Sequence, residues 1–297
     1  MLREFAPAKV NLALHVVDRL PDGRHALESP VAFAAFGDTV TVEPAEVDSL
    51  HVDGPFAAAL SDEGDNLVTR ARDALRAHAG VSTPVAIGLT KRIPVAAGLG
   101  GGSADAGATL RALRSLWRVA LDDRELAAVG APLGADVAMC VLSRALIARG
   151  VGDRLVPVEG GSGALDLDGR GLVLVNPGVV VPTGAVFEGL AERRNASLPP
   201  VNRDPIAWLA ACRNDLEAPA SVIAPAVGDV LGALRDRTSG GGVLLARMSG
   251  SGATCFAVTA DEAAAAGLAD RLAADHPAWF VASTRFQDRA AEAIASA

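Results

Sequence analysis

Near the N-terminus Val10, Leu12, Leu14 and Val16 alternate with Lys9, Asn11, Ala13 and His15. This period-two pattern predicts a strand with one apolar face, and Lys9 and Asn11 are expected to point together off the core. Asp22-Gly23 marks a turn leading to Arg24-His25, and residues 27–43 predict further strands with a turn at Gly37-Asp38. From Asn66 to His78 the apolar positions Leu67, Ala71, Ala74 and Leu75 recur at helical spacing. Val85, Ile87 and Leu89 alternate as a strand running into Lys91, and Pro94 stops it before a glycine run. Ser103 to Trp117 then predicts a helix that buries Leu110, Leu113, Leu116 and Trp117.

Further along, Asp122 to Val129 predicts a helix, and Gly134-Ala-Asp136 precedes the apolar run Val137 to Leu142. Gly150-Val-Gly152 is a turn. Residues 159–170 are rich in Gly and Asp and make the best boundary region. Leu172 to Val175 is a strand ending in Asn176-Pro-Gly178, and the polar stretch 189–205 reads as loop. Helices are expected near 205–212 and 226–237. Gly240-Gly-Gly242 turns into the strand Val243 to Met248, and Ser249-Gly-Ser-Gly252 separates it from the strand Thr254 to Val258. A helix over 261–274 and a strand over 279–285 follow. There is no internal repeat. Strands without regular βαβ alternation point to two α+β halves, 1–158 and 159–297.

Composition narrows the function. Hydrophobic residues make up 50% of 297, enough for a sizeable core, and much of that share is alanine. The formal net charge of −8 comes without any basic block, which argues against a nucleic-acid or membrane partner. Cys140, Cys212 and Cys255 are far apart and lack metal-ligand spacing, as expected in a reducing compartment such as the cytoplasm. Met1 to Phe5 opens no signal peptide, and no uncharged apolar stretch reaches the ~18–20 residues of a membrane span. Among 27 basic residues only Lys9 and Lys91 are lysine. A lysine is a compact point charge that can approach a phosphate or hydroxyl where a guanidinium fork would not fit.

Candidate chemistry centres on Gly98-Leu-Gly-Gly-Gly-Ser103-Ala-Asp105. Glycines let the backbone approach a ligand closely. The helix that begins directly afterwards presents unpaired amides and a positive dipole end, which suits an anion. Ser103 either caps that helix or holds a phosphate oxygen or a metal ion. The pattern is neither a P-loop, which needs a following Gly-Lys-Ser/Thr, nor a dinucleotide fingerprint. Asp136 reads in two ways. It is a good N-cap for the helix after it. It is also a carboxylate able to accept or orient a hydroxyl proton in phosphoryl transfer, with Lys9 as its partner. Ser249 to Gly252 taken alone is a hairpin turn, and His25 is expected to be exposed after its turn.

Taken together, Pro7-Ala-Lys-Val-Asn-Leu12, Pro94 to Ala106 and Ser249 to Gly252 resemble the three signature regions of the GHMP kinases. Further segments bring the resemblance closest to the branch acting on 4-diphosphocytidyl-2-C-methyl-D-erythritol. They are Asp22-Gly-Arg-His25, Asp65-Asn-Leu67, Leu133-Gly-Ala-Asp-Val137, Asn176-Pro-Gly178 with Pro182-Thr183, Asn214-Asp-Leu-Glu217 and Met248-Ser-Gly-Ser-Gly252. The resemblance implies an N-terminal domain like domain 2 of ribosomal protein S5, a ferredoxin-like C-terminal domain and a site in the cleft between them. It implies ATP with Mg²⁺ as cofactors. The implied reaction moves the γ-phosphoryl of ATP to the 2-hydroxyl of the cytidyl substrate, a step of the non-mevalonate isoprenoid pathway. Another GHMP kinase, acting on homoserine, mevalonate or a sugar, is the alternative, as is a non-catalytic protein of the same fold.

By the same resemblance Lys9 and Asp136 match the catalytic pair. Pro94, Gly98, Leu99, Gly100, Gly101, Gly102, Ser103 and Ala104 match the nucleotide loop, and Asn66 and Lys91 the adenosine side. Asn11 and Thr183 match polar substrate contacts, and His25 and Phe187 the cytosine pocket. No residue is matched to the metal. The protein is expected to be a monomer or a weak homodimer. Two positions depart from the family: Arg24 replaces a tyrosine that stacks on cytosine, and Ala138 replaces a proline at a helix start. A guanidinium plane can also stack on a base.

Overall fold

The computed structural model describes residues 1–60, 66–157, 165–238 and 242–288. The N-terminal half begins with β1 (Leu2–Asn11), β2 (His15–Arg19), β3 (His25–Pro44) and β4 (Ser49–Asp53). It continues with α1 (Leu67–Ala79), β5 (Val85–Thr90), α2 (Gly101–Trp117), α3 (Asp123–Gly130), α4 (Val137–Leu142), β6 (Leu146–Gly150) and β7 (Arg154–Pro157). Its sheet runs β4-β5-β3-β6-β7, with β1 and β2 also paired to β3. One face of that sheet is covered by α1 to α4 over a core that includes Val40, Val42, Leu75, Leu110 and Leu113.

The C-terminal half holds β8 (Gly171–Asn176), α5 (Thr183–Glu188), α6 (Pro205–Ala211), α7 (Glu217–Ile223) and α8 (Pro225–Arg235). β9 (Val243–Met248), β10 (Cys255–Thr259), α9 (Glu262–Asp275) and β11 (Phe280–Arg285) complete it. Its four strands form the antiparallel sheet β11-β8-β10-β9. The two-domain α+β expectation therefore holds. The expected domain boundary at 158/159 and most of the Gly240-Gly-Gly242 turn lie outside the described residues. Among the described residues no helix is long and apolar enough to cross a membrane.

A third buried cluster joins the halves. Ala8, Val10, Ile93, Ala97 and Leu99 meet Leu172, Leu174, Trp208, Phe256 and Val258. From Ala6 to Asn11 β1 therefore has no solvent face. The expectation that Lys9 and Asn11 point off the core is corrected: they share a face, but at 5% and 7% exposure they sit inside the cleft.

The turn expected at Gly37-Asp38 is also corrected, because β3 runs through it for 20 residues. Gly37 lies so close to β1 that a Cβ would stand 2.2 Å from the Ala6 carbonyl oxygen, and β1 bulges between Pro7 and Lys9. Asp38, a residue that favours turns when its carboxylate must serve its own backbone, accepts instead from the Ile93 amide (2.8 Å) and from Lys91.

Candidate functional site

The glycine loop hangs on β1. The Lys9 amide donates to the Leu99 carbonyl (2.9 Å), and the Thr254 amide donates to Ala97 (3.1 Å). Gly98 and Gly100 have φ of +75° and +63°, where an L side chain is strained. Space excludes one as well. A Cβ on Gly98 would stand 2.5 Å from the Gly252 carbonyl oxygen, and one on Gly100 3.0 Å from the Lys9 Cε. Leu99 is fully buried in the cluster between the halves, so its side chain anchors the loop. Pro94 and Ala104 are likewise buried. Gly101, Gly102 and Ser103 open α2, where the first amides have no partner within the helix. Ser103 does not cap: the helix starts two residues earlier than expected, and Gly100 occupies the cap position.

Asp136 does stand at the N-cap of α4, yet its side chain makes no capping bond. It pairs with Lys9 at 3.0 Å. The Lys9 ammonium also donates to Asn11 Oδ1 (2.7 Å), and Asn11 Nδ2 donates to Ser29 Oγ (2.8 Å), which in turn donates to the Ala13 carbonyl (2.6 Å). The lysine is thereby held in one direction. The Asp136 carboxylate stays 36% exposed, toward a cavity of about 580 Å³.

That cavity runs from Lys9, Asn11, Gly98, Gly100 and Asp136 to Arg24, His25, Thr183 and Phe187. Its far end is built by tertiary contact. His25 and Phe187 stack with centroids 5.0 Å apart and planes at 21°. His25, expected to be exposed, is half-buried, and burial with Arg19 and Arg193 nearby lowers its pKa. Its Nε2 is buried without a hydrogen-bond partner among the described residues. Thr183 Oγ1 hydrogen-bonds Ser251 Oγ (2.8 Å) and fixes α5 to the β9–β10 hairpin. Arg24 borders the cavity, but its guanidinium turns back to Asp22 (Nε to Oδ2, 2.7 Å) and is 64% exposed. It does not stack on the His25–Phe187 pair.

Two expected residues lie elsewhere. Asn66 caps α1, its Oδ1 accepting from the Val68 amide at 2.9 Å. Leu67 beside it approaches Gly102, where a Cβ would be 3.4 Å from its Cδ1. Lys91 does not line the cavity. It lies beneath the loop at 2% exposure, bonded to Asp38 and to Asp105 (2.8 Å), and a Cβ on Gly101 would stand 3.3 Å from its ammonium. Two carboxylates share this one lysine. Burial, then the charge of Asp38, raise the Asp105 carboxyl to about 8 against the pull of Lys91.

The sequence reading missed Ser29, Asp38, Asp105 and Ser251. Two of them carried a signal: Asp105, an acidic residue just past the glycines, and Ser251, within the Ser249 to Gly252 motif. Ser249 to Gly252 is a hairpin turn, as expected, but it also braces the loop: Ser249 Oγ accepts from the Asn11 amide and donates to the Gly98 carbonyl, both at 3.1 Å.

The arrangement of loop, lysine and carboxylate has known relatives. The GHMP kinases N terminal domain matches residues 66–144, and the GHMP kinases C terminal domain matches 201–278. The chain belongs to the GHMP kinases. As a GHMP kinase it is 48% identical to the 4-diphosphocytidyl-2-C-methyl-D-erythritol kinase of Chelativorans sp. strain BNC1, over 95% of this chain and 94% of that one. It is 46% identical to the enzyme of that name from Brucella abortus biovar 1, over 97% of each. The crystal structure of a 4-(cytidine 5'-diphospho)-2C-methyl-D-erythritol kinase superposes with a TM-score of 0.79 at 34% identity, covering 97% of this chain and 100% of that one. A homoserine kinase from Cytophaga hutchinsonii (TM-score 0.72, 20% identity, 97% and 95% covered) shares the fold.

Proposed function

We propose that this kinase transfers the γ-phosphoryl of ATP to the 2-hydroxyl of 4-diphosphocytidyl-2-C-methyl-D-erythritol, in the non-mevalonate route to isoprenoid precursors. The observation that carries the reading is one cavity with a Lys9–Asp136 pair at its loop end and a stacked His25–Phe187 pair at the other. The relatives that match over nearly the full chain bear the name of that activity.

Phosphoryl transfer asks mainly for positioning and charge stabilisation. In this reading the free amides of Gly101 to Ser103 hold phosphate oxygens. Asp136 accepts or orients the 2-hydroxyl proton, and Lys9 places positive charge beside the transferring group. Asn11 holds Lys9 in line, Asn66 and Lys91 support the nucleotide side of the loop, and Thr183 borders the substrate. His25, kept neutral by burial, and Phe187 receive the pyrimidine. Mg²⁺ would supply charge neutralisation at the ATP phosphates, and the exposed Asp136 carboxylate and the Ser103 hydroxyl are hard oxygen donors beside the loop that would suit that ion. We assign residues 1–158 to the N-terminal GHMP kinase domain, which carries the nucleotide loop and the Lys9–Asp136 pair, and 159–297 to the C-terminal domain, in a cytoplasmic monomer or weak homodimer.

The test offers the purified protein ATP, Mg²⁺ and the cytidyl substrate beside homoserine and mevalonate. Phosphorylation of the cytidyl substrate is expected. Phosphorylation of homoserine or mevalonate alone would overturn the substrate assignment.

A further inference from the structure

β1 carries Lys9 and Asn11, and it is gripped on both sides of them by buried arginines, one from each half. Arg111 of α2 is 1% exposed. Its Nη2 donates to the Phe5 carbonyl of β1 (2.7 Å), and its Nη1 donates to the Cys140 carbonyl (2.8 Å), near the C-terminal end of the α4 helix that Asp136 opens. One guanidinium thus bridges the strand of Lys9 and the helix of Asp136, from the helix that the glycine loop opens.

Arg247 of β9 is 6% exposed. Its Nη1 donates to the Leu12 carbonyl just past β1 (2.8 Å), and its Nη2 donates to Leu209 (3.1 Å) and Cys212 (2.8 Å). It makes no ion pair with a carboxylate among the described residues. A buried guanidinium satisfied by carbonyls alone is a costly way to gain stability, since apolar side chains of similar volume often serve as well or better. Its fixed fork of donors does something an apolar group cannot: it sets the distance between the chain just past β1 and the end of α6, both held against β9.

We propose that Arg111 and Arg247 are positioning residues for phosphoryl transfer, clamping β1 from the two halves so that Lys9 stays in register with Asp136 and the glycine loop. The inference rests on the reading of Lys9 and Asp136 as the reacting pair. It predicts a kinetic split. With the clamp loosened, Leu99 still anchors the loop in the cluster between the halves and the aromatic pair still closes the cavity, so binding persists while the alignment of Lys9 is lost. A displacement of about 1 Å can cost on the order of 100-fold in rate.

The chain contains two lysines, so ¹³C-lysine labelling gives two side-chain signals, assigned with Lys9→Arg, and Lys91 serves as an internal control. In Arg247→Gln the Lys9 signal is expected to shift or broaden while that of Lys91 stays. The same variant should lose at least about tenfold in kcat with KM for both substrates within about threefold. Arg247→Lys, which keeps the charge but not the fork, should recover part of the rate. An unmoved Lys9 signal, or a kcat within about twofold of the parent, overturns the clamp even if the melting temperature falls. Should the glutamine variant fail to fold, Arg247→Lys is read by the same two criteria. If the parent does not phosphorylate the cytidyl substrate, the function fails, and the lysine signals alone still decide the clamp.

Discussion

Lys9 and Asp136 meet at 3.0 Å from elements far apart in the chain; Asn11, two residues along the same strand, aims Lys9, and Lys9 in turn holds Asp136, which makes no capping bond to its own helix. Asp136→Asn keeps the shape and removes the charge. Turnover should fall by ~10²–10⁴-fold, the usual contribution of a general base. ATP affinity, read by titration calorimetry, should hold. Full activity in that variant would refute the role. Gly100→Ala meets both a positive φ and the Lys9 Cε, so ATP binding should weaken by about 1–3 kcal/mol if the strain falls wholly on the bound loop. Arg24 is tied to Asp22 and does not face the aromatic pair, so Arg24→Tyr should preserve or tighten binding of the cytidyl substrate. A large rise in its KM would instead make Arg24 a direct contact.

At the scale of elements, α2 is tied near its start to a buried charge cluster, since Asp105 pairs with Lys91, which also holds Asp38. Asp105 gives up its proton only near pH 8, because it is buried and faces Asp38, and these outweigh Lys91. The folded protein therefore binds that proton more tightly than the unfolded chain, whose carboxyl titrates near ~3.9. Stability from this group is full below that value and is lost as pH rises toward about 8. Asp105→Asn removes this slope. The melting temperature of the variant relative to the parent should climb from about pH 5 to about pH 9; a constant difference would contradict the proton assignment.

The helices α1, α2, α3, α8 and α9 were legible because their apolar spacing is long enough to show a period. The strand character of 27–43 was legible, but its unbroken run through Gly37-Asp38 was not, because Asp38 satisfies its carboxylate through Lys91 and Ile93, more than fifty residues away. The α5 helix was not, because six residues carry no period. Its place comes from Phe187 on His25 and Thr183 on Ser251. The glycine loop and the two lysines stood out in the sequence. That one lysine sits in the cleft and the other under the loop did not, since both follow from packing.

For the whole molecule, the cleft depends on the cluster that joins the halves. Leu99 belongs to that cluster and to the loop, so Leu99→Ala should destabilise by ~2–5 kcal/mol, as for a buried leucine, and should also raise KM for ATP. Denaturant melts with a parallel ATP titration would show both, and loss of stability without a change in KM would separate the loop from the core. The account of the cavity is tested most directly by ³¹P NMR of the product formed from ATP, Mg²⁺ and 4-diphosphocytidyl-2-C-methyl-D-erythritol. The expected result is a new phosphomonoester on the 2-hydroxyl with the diphosphate intact. An unchanged cytidyl substrate, with phosphate appearing on homoserine or mevalonate, would contradict it.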